Sequence, residues 1–285
     1  VFPVESLSPV MMTTADVTTS VLQTIVAHKK EEIAQWQTDY PFEYWLDKAH
    51  RNTENPFRFE ATLRASNPVG GVHLICELKP KSPSLGVLQA SPDVPAIIAD
   101  YNQVASAISV LTDTTFFGGS FDLLTEVKAL TPLPVLCKDF IVDPYQVLVA
   151  VACGADAVLL IMKALPDDIQ YVTLFETIRS YGLTPVVEVQ NEAELNRALL
   201  VHPSVILINN RNLDTLTMAP ETVETLAPLV PQDCVIIAAS GLKTRQQVVA
   251  CGAVAEACLV GSHLMQTPAQ ERLKTLQQLQ GVEGV

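Results

Sequence analysis

Eight short apolar runs, whose starts fall 20 to 34 residues apart between residues 72 and 262, constrain this chain more than any other feature. They are VHLICELK (72–79), SAISVLT (106–112), PVLCKDF (134–140), DAVLLIM (156–162), TPVVEVQ (184–190), SVILINN (204–210), CVIIAAS (234–240) and EACLVGS (256–262). Near-continuous apolar runs are what parallel strands need when both faces are buried, and the spacing is that of a strand plus its crossover helix. The pattern predicts an α/β protein, a (β/α)8 TIM barrel, which commonly occupies about 250 residues as one unit. The pentapeptide VACGA occurs at 151–155 and again at 249–253, four units apart. Gly154 and Gly252 each stand where a helix must stop and where glycine accepts a left-handed conformation. A doubly wound open sheet is the rival architecture, but it usually carries GxGxxG after its first strand, and ELKPKSPSLG is not that.

The repeat begins after Gly70. Upstream, VLQTIVAHKKEEIAQW reads as an amphipathic helix from about residue 20, with Val21, Ile25, Ile33 and Trp36 near helical spacing and charges between them. The expected organisation is a flexible segment 1–19, a helical extension 20–70 and a catalytic barrel 71–285. A formal net charge of -13 repels phosphate backbones, so nucleic acid is not expected as a partner. No apolar run approaches the roughly 18 residues of a membrane span, and no membrane partner is expected. The six cysteines lack CxxC spacing and the five histidines are scattered. The cysteines therefore read as reduced, and no metal is expected. The first 28 residues contain neither Lys nor Arg, which does not suit a leader. The expected location is the cytoplasm, or the plastid stroma if a leader preceded Val1.

Charges inside buried strands are costly unless paired or used, so the strand ends that carry them are informative. The first run ends in Glu77 and Lys79, two residues apart and hence on one face, with Lys81 and Ser82 in the loop that follows. The third ends in Lys138 and Phe140, the fifth carries Glu188, and the sixth ends in Asn209 and Arg211. All lie at C-terminal strand ends, where barrel enzymes place their chemistry. Their cations outnumber their carboxylates by one, or by two with Lys81, which on an acidic protein calls for an anionic ligand. Ser240-Gly241 and Gly261-Ser262 follow the seventh and eighth runs, the two loops that commonly grip phosphate in this fold. A small phosphorylated substrate is the expected partner.

The motifs ELKPKSPS, AISVLTD, FFGGSFDLL, LCKDFIVDPYQV, INNRNLDTL and LVGSHLM resemble those of the indole-3-glycerol-phosphate synthase family, from about residue 20 to 266. The resemblance implies closure of 1-(2-carboxyphenylamino)-1-deoxyribulose 5-phosphate to an indole with loss of carbon dioxide and water, in tryptophan biosynthesis, without cofactor or metal. It implies Lys138 as general acid, Glu188 and Glu77 as carboxylates that handle protons, and Lys79 as the second lysine, acting in dehydration. Phe140 would pack on the anthranilate ring, Asn209 and Arg211 would orient carboxylate and hydroxyls, and Ser82, Ser240, Gly241, Gly261 and Ser262 would hold the phosphate. The N-terminal helix would cover the mouth, and the protein would act as a monomer or weak homo-oligomer. The chain departs from the family where Ala239 precedes Ser240-Gly241 in place of the usual Glu, where Asn212 follows Arg211 in place of Asp, and at Pro80 and Leu85, where basic residues are frequent. The alternative these departures raise is a slowed or non-catalytic paralogue that binds a related phosphorylated ligand.

Overall fold

A computed structural model describes residues 20–52, 54–67 and 71–281, so the flexible segment expected at 1–19 lies outside the described residues. All eight runs form strands: β1 (His73–Leu78), β2 (Ala107–Leu111), β3 (Val135–Lys138), β4 (Ala157–Ile161), β5 (Thr184–Val189), β6 (Val205–Asn209), β7 (Val235–Ala239) and β8 (Ala257–Val260). Each pairs in parallel with its neighbours in sequence, and β1 pairs with β8 to close the barrel. Side chains alternate between two cores because successive strand residues point to opposite faces. Ile75, Leu136, Val186, Leu207, Ile237 and Leu259 fill the interior, while Leu74, Cys76, Val110, Val158 and Ile206 pack outward beneath the helices. All six cysteines are free thiols.

The interior period fixes the rim. Two residues beyond the inward Ile75, Leu136, Val186, Leu207, Ile237 and Leu259 stand Glu77, Lys138, Glu188, Asn209, Ala239 and Gly261, so a period of two carries the apolar core straight into a polar upper layer. The registers Leu111↔Lys138, Ile161↔Glu188 and Asn209↔Ala239 hold these positions level.

The extension does two jobs at opposite ends. Helix α1 (Val21–Asp39) starts with a capping box, Ser20 Oγ accepting from Gln23 N at 3.2 Å and Gln23 Oε1 accepting from Ser20 N at 3.0 Å. Its buried stripe is Leu22, Ile25, Lys29 and Ile33. That corrects the sequence reading in two places, since Val21 and Trp36 are only half-buried and a lysine stands in the middle of the stripe. After the short α2 (Phe42–Leu46), α3 (Arg58–Arg64) closes the bottom of the barrel, with Phe59 and Leu63 buried in the interior core. His73 joins this seal, its ring nitrogens reaching Ser106 Oγ at 2.7 Å and Ala65 O at 2.9 Å.

The VACGA repeat is only half a structural repeat. Gly154 adopts φ +87 as expected, but Gly252 is right-handed, with φ -65 and ψ -11. A Cβ there would stand 3.2 Å from Val72 Cβ, a tight contact to which Val72 would have to yield by a few tenths of an ångström.

Candidate active site

The upper layer and the loops beyond it line a cavity of about 390 Å³ at the C-terminal mouth, within the usual range for small-molecule sites. Glu77, Lys79, Ser82, Lys138, Phe140, Glu188, Asn209, Arg211, Ser240, Gly241, Gly261 and Ser262 all line it, so twelve of the thirteen residues read from the sequence converge.

Lys81 is the exception. The strand ends at Leu78 and the chain turns at Pro80 into a two-stranded hairpin in which Lys81 pairs with Val87. Period two therefore lapses before residue 81, and the Lys81 ammonium donates to Thr115 O at 2.9 Å instead of facing the mouth. Ser82 stays at the wall, its hydroxyl accepting from Leu85 N at 3.2 Å.

Two lysine–carboxylate pairs face each other across the opening. Lys79 Nζ lies 2.8 Å from Glu77 Oε1, and Lys138 Nζ lies 3.7 Å from Glu188 Oε2. Burial works to raise the Glu77 carboxyl, but Lys79 and Lys138 together outweigh it and hold the pKa below its ordinary value. Glu188 is held from one side only. Its Oε1 accepts from Asn209 Nδ2 at 2.8 Å, and Asn209 Oδ1 in turn accepts from Arg211 N at 2.9 Å. Its Oε2 is buried with no hydrogen-bond donor among the described residues, and 3.7 Å is too long for Lys138 to serve. An unsatisfied carboxylate oxygen and an ammonium just out of its reach are prepared for a group that comes between them.

Gly261 makes the Glu77–Lys79 pair possible, because a Cβ at that position would stand 2.3 Å from Glu77 Oε1. On the neighbouring strand end, after β7, Ser240 and Gly241 have φ +73 and +83. The left-handed backbone at a serine is strained, the kind of geometry that clusters at ligand clamps.

Lys243, His263, Asp139, Leu111, Phe117 and Leu213 also line the mouth, although the sequence reading did not select them. Lys243 and His263 follow the two glycine–serine pairs by two residues or fewer, which was the available signal. Burial and then the neighbouring Lys243 lower the His263 pKa, favouring the neutral imidazole. The lining cations Lys79, Lys138, Arg211 and Lys243 exceed the carboxylates Glu77, Asp139 and Glu188 by one. The positive excess expected from the sequence is thus present, with Lys243 in the place given to Lys81. Ala239, where the family usually has Glu, forms part of the wall beside Asn209.

Among the described residues no group of three or more His, Cys, Asp or Glu side chains is placed to hold a metal ion, and no helix is long and apolar enough to cross a membrane.

Comparison with known proteins bears on what this mouth belongs to. A chain of the tryptophan synthase complex from Pyrococcus furiosus superposes with a TM-score of 0.55 at 15% identity, covering 74% of this chain and 98% of that one, which establishes the barrel fold. The indole-3-glycerol phosphate synthase of Albidiferax ferrireducens is 41% identical, with 88% of this chain and 95% of that protein aligned. Its counterpart in Acidithiobacillus ferrooxidans is 39% identical, over 87% of this chain and 95% of that protein. The tryptophan biosynthesis protein TrpCF of Vibrio cholerae is 42% identical over 86% of this chain, which spans only 50% of that relative's length. The profile described as indole-3-glycerol phosphate synthase matches residues 22–276, taking in all but the first residue of α1, every strand of the barrel and every residue of the mouth, and the chain belongs to that family.

Proposed function

We propose that this chain is an indole-3-glycerol-phosphate synthase, a carboxy-lyase of tryptophan biosynthesis. It closes 1-(2-carboxyphenylamino)-1-deoxyribulose 5-phosphate to indole-3-glycerol phosphate with release of carbon dioxide and water. The observation that carries this reading is the poised pair of Lys138 and Glu188, with Oε2 of the carboxylate unsatisfied, set opposite Glu77–Lys79 in one cavity.

The chemistry asks for such a set. The ring carbon that bears the carboxylate attacks the ketone carbon, and the ketone oxygen must gain a proton as the bond forms. Lys138 is the donor, and Glu188 stabilises the iminium charge that builds on the anthranilate nitrogen. Carbon dioxide then leaves from the attacking ring carbon and its bonding electrons restore the aromatic ring. In the last step the new hydroxyl departs as water while the neighbouring methylene loses a proton, with Lys79 as acid and the ionised Glu77 at its side. General acid–base assistance of this kind contributes about 10² to 10⁴ in rate. Phe140, with Phe117 at 5.8 Å between ring centroids, offers an aromatic wall for the anthranilate. Ser240, Gly241, Gly261 and Ser262, with Lys243 and His263 beside them, form the phosphate end; Ser82 stands at the loop wall, and Asn209 and Arg211 orient the hydroxyls. The substrate is a small molecule and the protein works as a monomer or weak homo-oligomer.

The test is direct. Purified protein mixed with the substrate should develop indole fluorescence, together with one equivalent of carbon dioxide. No turnover above background at saturating substrate overturns the reading and restores the non-catalytic alternative.

A further inference from the structure

Among the described residues a buried cluster of one lysine and three carboxylates lies outside the catalytic set. Lys29, on the inward stripe of α1, is fully buried, and its ammonium lies 2.6 Å from Glu32 Oε2, 3.0 Å from Asp113 Oδ2 and 3.1 Å from Asp139 Oδ1. The Trp36 ring stands 5.6 Å from the same nitrogen. These carboxylates come from three separate elements. Glu32 is on α1 itself, Asp113 begins the loop after β2, and Asp139 follows the catalytic Lys138 on the loop after β3.

Each of the two distant carboxylates also holds the backbone N–H of a ring that lines the mouth. Asp113 Oδ1 accepts from Phe116 N at 2.7 Å and Phe117 N at 3.2 Å. Asp139 Oδ1 accepts from Phe140 N at 2.7 Å, and its Oδ2 accepts from Thr112 Oγ1 at 2.7 Å. Phe117 and Phe140 are the two rings of the aromatic wall. Among the described residues Asp113 Oδ2 has no hydrogen-bond donor, so the ion pair with Lys29 is what compensates its burial. Burial on its own would lower the Lys29 pKa, but Asp139, Asp113 and Glu32 outweigh it and leave it above the ordinary lysine value. The three carboxylates therefore favour the charged ammonium despite its burial.

The geometry points to Lys29 as a positioning residue for the reaction: a pin that ties the docking of α1 to the placement of the Phe117–Phe140 wall and of the strand end that carries Lys138. Without the pin, two buried carboxylates are left without their shared cation, and the peptide groups they hold lose a fixed acceptor. The extension would thus do more than cover the opening, because its docked state completes the wall against which the substrate ring lies. This rests on the synthase reading for its kinetic consequence but not for its structural one.

The experiment pairs amide hydrogen exchange with kinetics on Lys29→Met, using Ile33→Ala as a control that loosens α1 from the same stripe without touching the cluster. In Lys29→Met the amides of Phe116, Phe117 and Phe140 should lose protection at least tenfold relative to barrel-strand amides, and in Ile33→Ala they should not. With substrate, Lys29→Met should lose about 10- to 100-fold in kcat/KM, and the same change in a Phe140→Leu background should cost less than threefold, since coupled sites are not additive. Should Lys29→Met fail to fold, Asp113→Asn leaves Lys29 its two other carboxylates and should expose the Phe116 and Phe117 amides while sparing Phe140. Wild-type protection at all three amides in Lys29→Met, or equal loss in the Ile33→Ala control, overturns the inference whatever the activity. Absence of wild-type turnover instead counts against the synthase reading, and the exchange pattern still decides this one.

Discussion

Lys29 and Lys138 meet carboxylates near the mouth of this barrel in opposite ways. Lys29 is sealed from solvent and surrounded at 2.6 to 3.1 Å by three carboxylates, whereas Lys138 keeps part of its side chain exposed and its nearest carboxylate oxygen stands 3.7 Å away. An ammonium held within 3.1 Å of three carboxylates has little reason to move. An under-coordinated pair keeps a donor and an acceptor in hand, and in the proposed reaction the missing partner is the substrate. In the proposed mechanism the incomplete Lys138–Glu188 pair supplies the acid, and the inferred pin is the complete cluster around Lys29.

The largest expected effect breaks the comparison at its reactive end. Lys138→Met keeps the stem and removes the ammonium, and should cost on the order of 10³-fold in kcat with the melting temperature changed by no more than a few degrees. A variant that retains a tenth of wild-type kcat would show that Lys138 is not the acid. Next comes Gly261→Ala. The new Cβ would fall 2.3 Å from Glu77 Oε1 and 3.0 Å from Glu77 Cβ, so Glu77 must swing away from Lys79. Misplacing a catalytic group by about 1 Å costs around 10²-fold, and a loss of roughly 10- to 100-fold in kcat/KM is expected, with folding preserved by circular dichroism. An unchanged rate would detach the Glu77–Lys79 pair from the chemistry.

What the sequence discloses and what it hides follow the same divide. Every catalytic candidate on a strand was legible, because a charge that interrupts an apolar run of period two has nowhere to point but the mouth. The reading failed where the period lapsed. Lys81 sits two residues past Lys79, but the strand had ended and the hairpin turned it toward Thr115. Lys243 and His263 lie in loops with no periodicity to mark them. Lys29 was hidden differently, since one charge in KKEE looks like the solvated face of a helix, and the acids that explain its burial are 84 and 110 residues away in the chain. Pairings between distant elements leave no local trace, and the same holds for the seating of α1 beside the loops after β2 and β3 and of α3 on the interior core.

Ala239→Glu tests the departure from the family pattern at a smaller scale. A carboxylate there cancels the single positive excess of the mouth and should weaken an anionic substrate, raising KM by about 3- to 10-fold, the equivalent of about 1 kcal/mol. A tenfold gain in kcat would instead show that the wall is impaired as it stands and that the usual Glu was missed.

The smallest effect sharpens the comparison through pH. Glu77 is held below its ordinary pKa, burial being outweighed by Lys79 and Lys138. Glu32 is raised, because burial, with Asp139 and Asp113 adding to it, outweighs Lys29. Linkage gives these opposite signs. A carboxyl depressed by folding contributes stability that is complete above its unfolded pKa, about 4.3, and is lost as pH falls through the lower folded value. A carboxyl raised by folding does the reverse: stability declines as pH climbs from about 4.3 through the higher folded value, because the unfolded chain releases the proton first. Melting temperatures of wild type, Glu77→Gln and Glu32→Gln between pH 3 and 7 separate the two. The advantage of wild type over Glu77→Gln should grow with pH up to about 4.3 and then stay level, while its advantage over Glu32→Gln should shrink above that point. Slopes of the same sign would mean that the two clusters share one electrostatic environment, and that the contrast between a poised mouth and a saturated pin is one of geometry alone.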